Sequence, residues 1–497
     1  MTDQQAIRGP DPWDELAARL GTDLFLDLQP DPSTTARGRG AQLRRRLADA
    51  LRDAIADGRL PAGTTLPPYR SLAADVGLSR GTVTAVYNEL VAEGRLIARQ
   101  GSGTTVAAGA ARSVESPGSH VPSATASVRH DFSLGQPNAS LFPRAEWVAA
   151  TRRALAEAPD AVFGPSPPNG SERLRTELAH YLSRARGVRT TPDRIVLTTS
   201  VMSALELLGR TVLGRRIAVE GYGLPFHRDV IARQGVSIEP IPVDHHGAVV
   251  EDLVDRDVSA VLLTPSHQFP LGVALEPDRR RQVIEWARRS DALIIEDDYD
   301  GELRYDREPV GALQGLAPEQ VIYVGSVSKS LSPAVRIGWI VLPPRLVDTV
   351  MWAKGIREPD ASVVDQLVLA DMIATGAYDK HIRRSRQFYR RRRDTLITRL
   401  AEQGITVGGI PAGLHAVVGM GHDAESRVLN AGWDRGFSLV GLDSLRHPDA
   451  PAVIDRDGNP GGGILVGFGT PAASTFDTDV NALTELITNG SPPGPLE

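Results

Sequence analysis

Apolar residues along this chain fall into two periods. Between Gly40 and Val106 they recur every three or four positions. Leu43, Leu47, Leu51 and Ile55 share one helical face, Leu72, Ala73 and Val76 a second, and Val83, Val86 and Leu90 a third. The spacing predicts three helices, with Gly77 supplying the turn before the third and Ser79 its cap. RLIARQGSGTTV then predicts two short strands around Gly101 and Gly103. From about His130 to Ile487 the pattern changes. Continuous apolar runs (RIVLTT, SAVLLTP, ALIIEDD, VIYVGS, GWIVLP) alternate with amphipathic segments such as RRQVIEWARRS. Buried strands alternating with helices predict an α/β domain with a mainly parallel sheet.

Between the two patterns, AAGAARSVESPGSHVPSATASV is small, polar and aperiodic, and reads as a linker. The expected organisation is a loosely ordered segment over 1–39, a helical module over 40–106, a linker over 107–129, the α/β domain over 130–488 and a polar tail over 489–497. LFLDLQ, from Leu24 to Gln29, is the one strand-like run in the first segment.

Composition narrows the class. A chain of 497 residues exceeds one modest core, and 41% hydrophobic with 23% charged residues is a soluble globular balance. No apolar run approaches the roughly 18 residues of a membrane helix, and the polar start MTDQQAIRGPDPWDEL lacks the pattern of a secretory signal. The expected compartment is therefore the cytoplasm, and zero cysteine, which excludes disulfides, Cys-ligated zinc and thiol catalysis, agrees with a reducing compartment. A net charge of −6 argues against nonspecific polyanion binding by the whole chain, while leaving room for a local basic face.

The amino-terminal pattern is that of a helix-turn-helix followed by a wing. A helix entering the major groove must present its first turn to base edges, and here that turn carries Ser79, Arg80, Thr82 and Thr84. Arg70, Tyr87 and Arg99, with Gln100 and Ser102 in the wing, are placed to meet phosphates or the minor groove. The whole stretch, including LPPYRSLAADVGLSRGTVTAVYNELVAEG and RQGSGTTV, resembles the GntR family of winged-helix regulators. It departs from the family at Pro68-Tyr69, where small hydroxyl residues usually precede the arginine.

Only three of the 55 basic residues are lysine, and one of them, Lys329, stands in GSVSKSLSPAVRIGW. Arginine serves for surface charge, but its guanidinium cannot lose a proton and attack a carbonyl, as a lysine amine can. Ser326 and Ser328 flank Lys329, Arg336 follows, and Asp297 and Tyr299 end the apolar run of LIIEDDYD. Strand ends of α/β sheets are where ligands bind. An amine, a carboxylate and a set of phosphate donors together suit pyridoxal phosphate.

S-x-S-K-S-L-S-P-x-x-R-x-G with E-D-D-Y-D resembles the fold-type I aminotransferase pattern of one branch of GntR regulators, the MocR subfamily. Further matches are DFSLGQPNASLFPRAEW, TPSHQFPLG and AGLHAVV. The resemblance implies Lys329 as the aldimine lysine, Asp297 as partner of the ring nitrogen and Tyr299 as donor to the ring oxygen. It makes Ser326, Ser328 and Arg336 phosphate ligands, and puts His267 and Gln268 in the ring-contacting loop. HIRRSRQFYRRRR then reads as a solvated or interface helix rather than a nucleic-acid site.

Three departures matter. TTSVMSAL stands where relatives have a text close to T-S-G-S-Q-Q-A-L, leaving a backbone cradle at Val201 and Met202 but Ser200 in place of glycine. EGYGLPF replaces E-D-P-G-Y, with Tyr222 or Phe226 as the ring-stacking candidate. GGGILVGFG puts Leu465 where relatives carry the arginine that grips an α-carboxylate, with Arg357 and Arg446 as substitutes. The expectation is therefore a homodimeric, head-to-tail transcriptional regulator that binds promoter DNA and senses pyridoxal phosphate at Lys329, controlling vitamin B6 genes. The competing readings are a regulator answering to an amino acid or amine, and an active aminotransferase.

Overall fold

Leu47, Leu51 and Ile55 are fully buried on one face of α1 (Ala36–Ala56), and they seed the core of the amino-terminal unit. The computed structural model describes residues 36–56, 59–99, 103–107, 128–305, 310–355, 361–453 and 461–490. The chain divides into two compact units, Met1–Ser123 and Ala124–Glu497. The run at Leu24 to Gln29, most of the expected linker, Gln100, Ser102 and Arg357 lie outside the described residues.

In the first unit, β1 (Thr65–Leu66) precedes α2 (Tyr69–Asp75) and α3 (Arg80–Ala92), and a hairpin of β2 (Leu96–Arg99) and β3 (Gly103–Val106) follows. The three strands lie in the order β1-β3-β2, antiparallel throughout. Two residues of β1 are too few to show a period, which is why only the hairpin is visible in the sequence. Leu72, Val83, Val86 and Leu90 close the core over α1, as their spacing predicts. Ser79 caps α3, its side chain accepting from Thr82 N at 3.1 Å. Arg52 ties α1 to α3 through Glu89 and Glu93.

The second unit is built on seven strands: β4 (Ile195–Thr198), β5 (Arg216–Glu220), β6 (Ser237–Ile241), β7 (Ala260–Leu263), β8 (Leu293–Asp297), β9 (Val321–Ser326) and β10 (Gly338–Val341). Their order is β4-β10-β9-β8-β7-β5-β6, and only β10 runs antiparallel to its neighbours. All residues of β4, β7, β8, β9 and β10 are buried, which explains their unbroken apolar text. β6 is an edge strand with a proline and a mostly half-buried pattern, so its sequence carries no such signal. α4 (Val201–Gly209) follows β4 and α5 (Pro225–Ala232) follows β5.

α6 (Ala377–Ala401) carries the arginine-rich stretch, with Ile382, Tyr389, Leu396 and Leu400 inward and Arg383, Arg384, Arg390 and Arg391 in solvent. Arg392 is the buried exception, donating to the carbonyls of Phe468, Gly469 and Pro471 at 2.7–3.1 Å. A second sheet, β11 (Val407–Gly408), β12 (His415–Gly421), β13 (Val440–Gly441) and β14 (Gly461–Gly467), is antiparallel in the order β11-β12-β14-β13. Among the described residues no helix is long and apolar enough to cross a membrane.

Candidate functional site

The carboxyl ends of the parallel strands point the same way, so β5, β8 and β9 deliver Glu220, Asp297 and Ser326 to one place. There they line a cavity of about 520 Å³. The cavity also gathers Val201, Met202, Tyr222, Tyr299, Ser328 and Lys329. Of the residues expected around a cofactor, His267, Gln268 and Arg336 are not among its lining.

Lys329 Nζ donates to Gly135 O at 2.6 Å. Burial lowers its pKa, against the pull of Asp297 and Asp300. Gly135 adopts φ +63, and a Cβ there would stand 2.8 Å from that amine. Asp297 is buried, and its Oδ1 has no hydrogen-bond partner among the described residues. Burial, helped by the charge of Asp298, pushes Asp297 up to about 7, while Lys329 pulls it down. His227, on α5, places Nδ1 3.8 Å from Asp297 Oδ2. Burial, with the cations Lys329 and Arg228 nearby, lowers His227 to about 4, so it is neutral at pH 7.

Tyr299 Oη and Asp300 Oδ2 both lie within hydrogen-bond distance of His267 Nδ1, at 2.9 Å and 2.7 Å. His267 thus stands behind Tyr299 and orients it, rather than forming part of the cavity wall. Burial, then Asp300 and Asp297, raises the Tyr299 phenol well above its ordinary value, so it keeps its proton. Gln268 is consumed by its own loop, donating to Tyr222 O at 3.1 Å and Phe269 O at 2.7 Å and accepting from Leu271 N.

Ser200 caps α4 in a reciprocal pair with Ser203: Ser203 N donates to Ser200 Oγ and Ser200 N to Ser203 Oγ. Its φ of −175° is extended backbone, so serine stands there without strain where relatives have glycine. First-turn amides of a helix lack intrahelical partners, and Val201 and Met202 occupy that turn at the cavity wall. Ser326 and Ser328 face the same cavity. Arg336 is exposed and holds φ 55°, a left-handed conformation that costs energy in a side-chain-bearing residue.

Tyr222 is buried in the wall, its Oη accepting from Val453 N at 3.0 Å, while Phe226 lines the cavity with 48% of its surface exposed. Leu465 is fully buried in an apolar cluster with Tyr222, Phe269, Leu445 and Val453. Arg446 pairs with Asp443 at 2.9 Å and stays outside the lining, so it does not replace the missing guanidinium.

Sequence reading missed several polar wall residues. Glu220 accepts from Thr264 N and Oγ1 and from Gln268 Nε2, and burial raises it to about 8. His227 and Arg228 share α5, and His415, lowered to about 4 by burial and by His267, donates from Nε2 to Pro270 O at 3.0 Å. Polar residues just past a buried strand were the available signal.

In the first unit, Arg70 and Arg80 are exposed. Ser79 and Thr82 bond each other at 2.8 Å, and Thr84 Oγ1 donates to Arg80 O, so these hydroxyls are partly engaged within α3. Tyr87 corrects the expectation of a phosphate contact: it is 1% exposed, packs in the core and donates to Pro67 O at 3.0 Å. Arg99 ends β2.

The two units define a class: a winged helix joined to a domain of the fold-type I aminotransferase kind. Residues 43–106 match the family described as bacterial regulatory proteins, gntR family, and residues 130–435 match aminotransferase class I and II. The chain is 32% identical to the HTH-type pyridoxine biosynthesis transcriptional regulator PdxR of Corynebacterium glutamicum, over 94% of this chain and 99% of that protein. It is also 32% identical to the probable rhizopine catabolism regulatory protein MocR of Rhizobium meliloti, over 78% and 83%. The Pyrococcus horikoshii kynurenine aminotransferase crystallised with PMP has a TM-score of 0.65 at 26% identity, over 73% of this chain and 92% of that one. The chain belongs to the MocR-type GntR regulators, in which a GntR helix-turn-helix domain is fused to an aminotransferase-like domain.

Proposed function

We propose that the cavity binds pyridoxal phosphate, that Lys329 captures it, and that this changes promoter occupancy by the winged helix in control of vitamin B6 genes. The observation that carries the reading is the presence in one cavity of a half-buried amine, Lys329, and a buried carboxylate oxygen of Asp297 that has no partner among the described residues. A protonated ring nitrogen would satisfy that oxygen. When bound, the cofactor supplies an aldehyde and an electron-withdrawing ring.

The chain's own residues do the rest. Burial lowers the Lys329 pKa and so favours the neutral form that can attack a carbonyl. Tyr299, oriented by His267, offers a donor to the ring oxygen. Ser326, Ser328 and the α4 amides of Val201 and Met202, all at the cavity wall, would hold the phosphate, whereas the exposed Arg336 lies outside that wall and is not needed for this reading.

Leu465 favours the cofactor itself over an amino acid as signal, because an amino-acid carboxylate would meet an apolar cluster at that point. The name of the Corynebacterium relative supports the vitamin B6 assignment. On this reading the protein performs no turnover, works in the cytoplasm as a head-to-tail homodimer, and places two winged helices on paired half-sites. Residues 40–106 read DNA, 107–129 link, and 130–488 sense. Arg70, Arg80, Arg99, Gln100 and Ser102 contact phosphates or bases, with Ser79, Thr82 and Thr84 near the groove floor.

A ligand shifts two arrangements only if it binds them unequally. The test is a promoter-binding titration with and without pyridoxal phosphate, repeated with GABA, taurine and common amino acids. A change in affinity with pyridoxal phosphate alone is expected. Indifference to it, or a response only to an amino acid, overturns the proposal.

A further inference from the structure

The residues assigned to the cofactor account for only part of the cavity wall. Most of the remainder is apolar: Leu134, Leu224, Phe269, Leu414, Val440 and Leu445. Among the described residues that line it, the one guanidinium is that of Arg228. Its Nη1 donates to Gly223 O at 3.3 Å and Leu445 O at 3.2 Å, and its Nη2 to Arg446 O at 3.5 Å. These three acceptors are neutral carbonyls, and the contacts are long. Asp229, the next residue, is the acid whose charge acts on Arg228, but it points into solvent and forms no ion pair with it. A half-buried guanidinium fixed by carbonyls, without a carboxylate in ion-pair contact among the described residues, is an anion receptor with its orientation already set.

We propose that Arg228 binds the carboxylate of a second ligand, a small organic acid whose apolar body lies against Leu224, Phe269 and Leu445, beside the cofactor in the same cavity. Apolar walls select the body and the guanidinium selects the acid end. The subsite lies on α5, whereas the position that relatives use for a carboxylate is the apolar Leu465 on β14. Such a ligand gives the regulator a second input, because occupancy of one part of a shared cavity changes affinity for the other. The placement beside the cofactor rests on the proposed reading of the site, so the test separates the two.

Full-length protein, untreated and loaded with pyridoxal phosphate, is titrated calorimetrically with 4-methylpentanoate, with the matched alcohol 4-methylpentan-1-ol, and with leucine, which adds an amine to the same skeleton. The acid is expected to bind saturably and the alcohol not to. Arg228→Gln should weaken the acid on the order of 30-fold, and Arg228→Lys should restore part of the loss. Lys329→Ala should retain acid binding. Melting curves of each variant confirm that it is folded. Equal binding of acid and alcohol, or an Arg228→Gln protein that binds the acid as wild type does, overturns the proposal. Acid binding through Arg228 in a protein that takes up no pyridoxal phosphate would uphold this subsite while refuting the cofactor reading. Tighter binding of leucine than of the acid would refute the assignment of a simple carboxylate.

Discussion

His227 Nδ1 stands 3.8 Å from Asp297 Oδ2, beyond hydrogen-bond reach, while Asp297 Oδ1 has no partner among the described residues. A neutral imidazole therefore stands beside a buried carboxyl group whose Oδ1 the fold leaves uncommitted. Such an arrangement costs stability and is retained where a ligand compensates it.

That cost has a pH signature. Asp297 titrates at about 7 in the folded protein against an ordinary 3.8. Below pH about 4 both folded and unfolded forms are protonated and the cost is absent; as pH rises toward 7 only the unfolded chain releases its proton, so stability falls. Above 7 the loss is complete. Asp297→Asn should accordingly stabilise the cofactor-free protein at pH 8 by a few kcal/mol, with the gain vanishing near pH 4. The same variant should lose the melting-temperature rise that pyridoxal phosphate gives wild type. A variant no more stable than wild type at pH 8 would remove the argument from the unpartnered oxygen.

Gly135→Ala places a methyl group 2.8 Å from Lys329 Nζ at a backbone φ of +63. The strain should cost about 1–2 kcal/mol, and displacing the amine should slow uptake of the cofactor on the order of tenfold, a slowing worth about 1.4 kcal/mol of barrier. Stopped-flow absorbance reads the uptake rate, and an unchanged rate would show that the contact with Gly135 does not position the amine.

Ser200 caps α4 at the proposed phosphate end, so Ser200→Ala should lower stability by about 1 kcal/mol and Ser200→Gly by only a few tenths. Thermal melts measure both. Because φ at Ser200 is extended, Ser200→Gly should not tighten cofactor binding; a large gain would mean that serine obstructs the cradle.

On the winged helix, Arg70→Ala and Arg80→Ala should weaken promoter binding, and each lost phosphate contact should flatten the salt dependence by about 0.9 in log–log slope. Tyr87→Phe should leave that slope unchanged while lowering stability by about 1 kcal/mol, the worth of its buried bond to Pro67 O. Fluorescence anisotropy at several salt concentrations separates the two behaviours.

Strands buried on both faces were legible because every position must be apolar, and the helices of the first unit because one face must be. Edge strand β6, with Pro240 and a half-buried pattern, meets neither condition. Within the site, Lys329, Asp297, Tyr299, Ser326 and Ser328 were legible from a local motif, and the fold brings all five to one cavity. His227, Arg228 and Glu220 come from strand ends and helix starts without such a motif, and only the parallel alignment of β5 and β8 on either side of β7, with α5 following β5, brings them to the cavity that Asp297 lines. Tyr87 was misplaced although Val83, Val86, Tyr87 and Leu90 share one helical stripe, because a phenol can serve a core or a phosphate equally well.

Lys329, Lys354 and Lys380 are the three amine side chains of the sequence, which makes the decisive measurement simple. Full-length protein is incubated with pyridoxal phosphate, reduced with borohydride, digested and sequenced by mass spectrometry. A pyridoxyl group on Lys329 alone, absent after Lys329→Ala, is the predicted result; modification of Lys354 or Lys380 instead, or of no lysine, would contradict it.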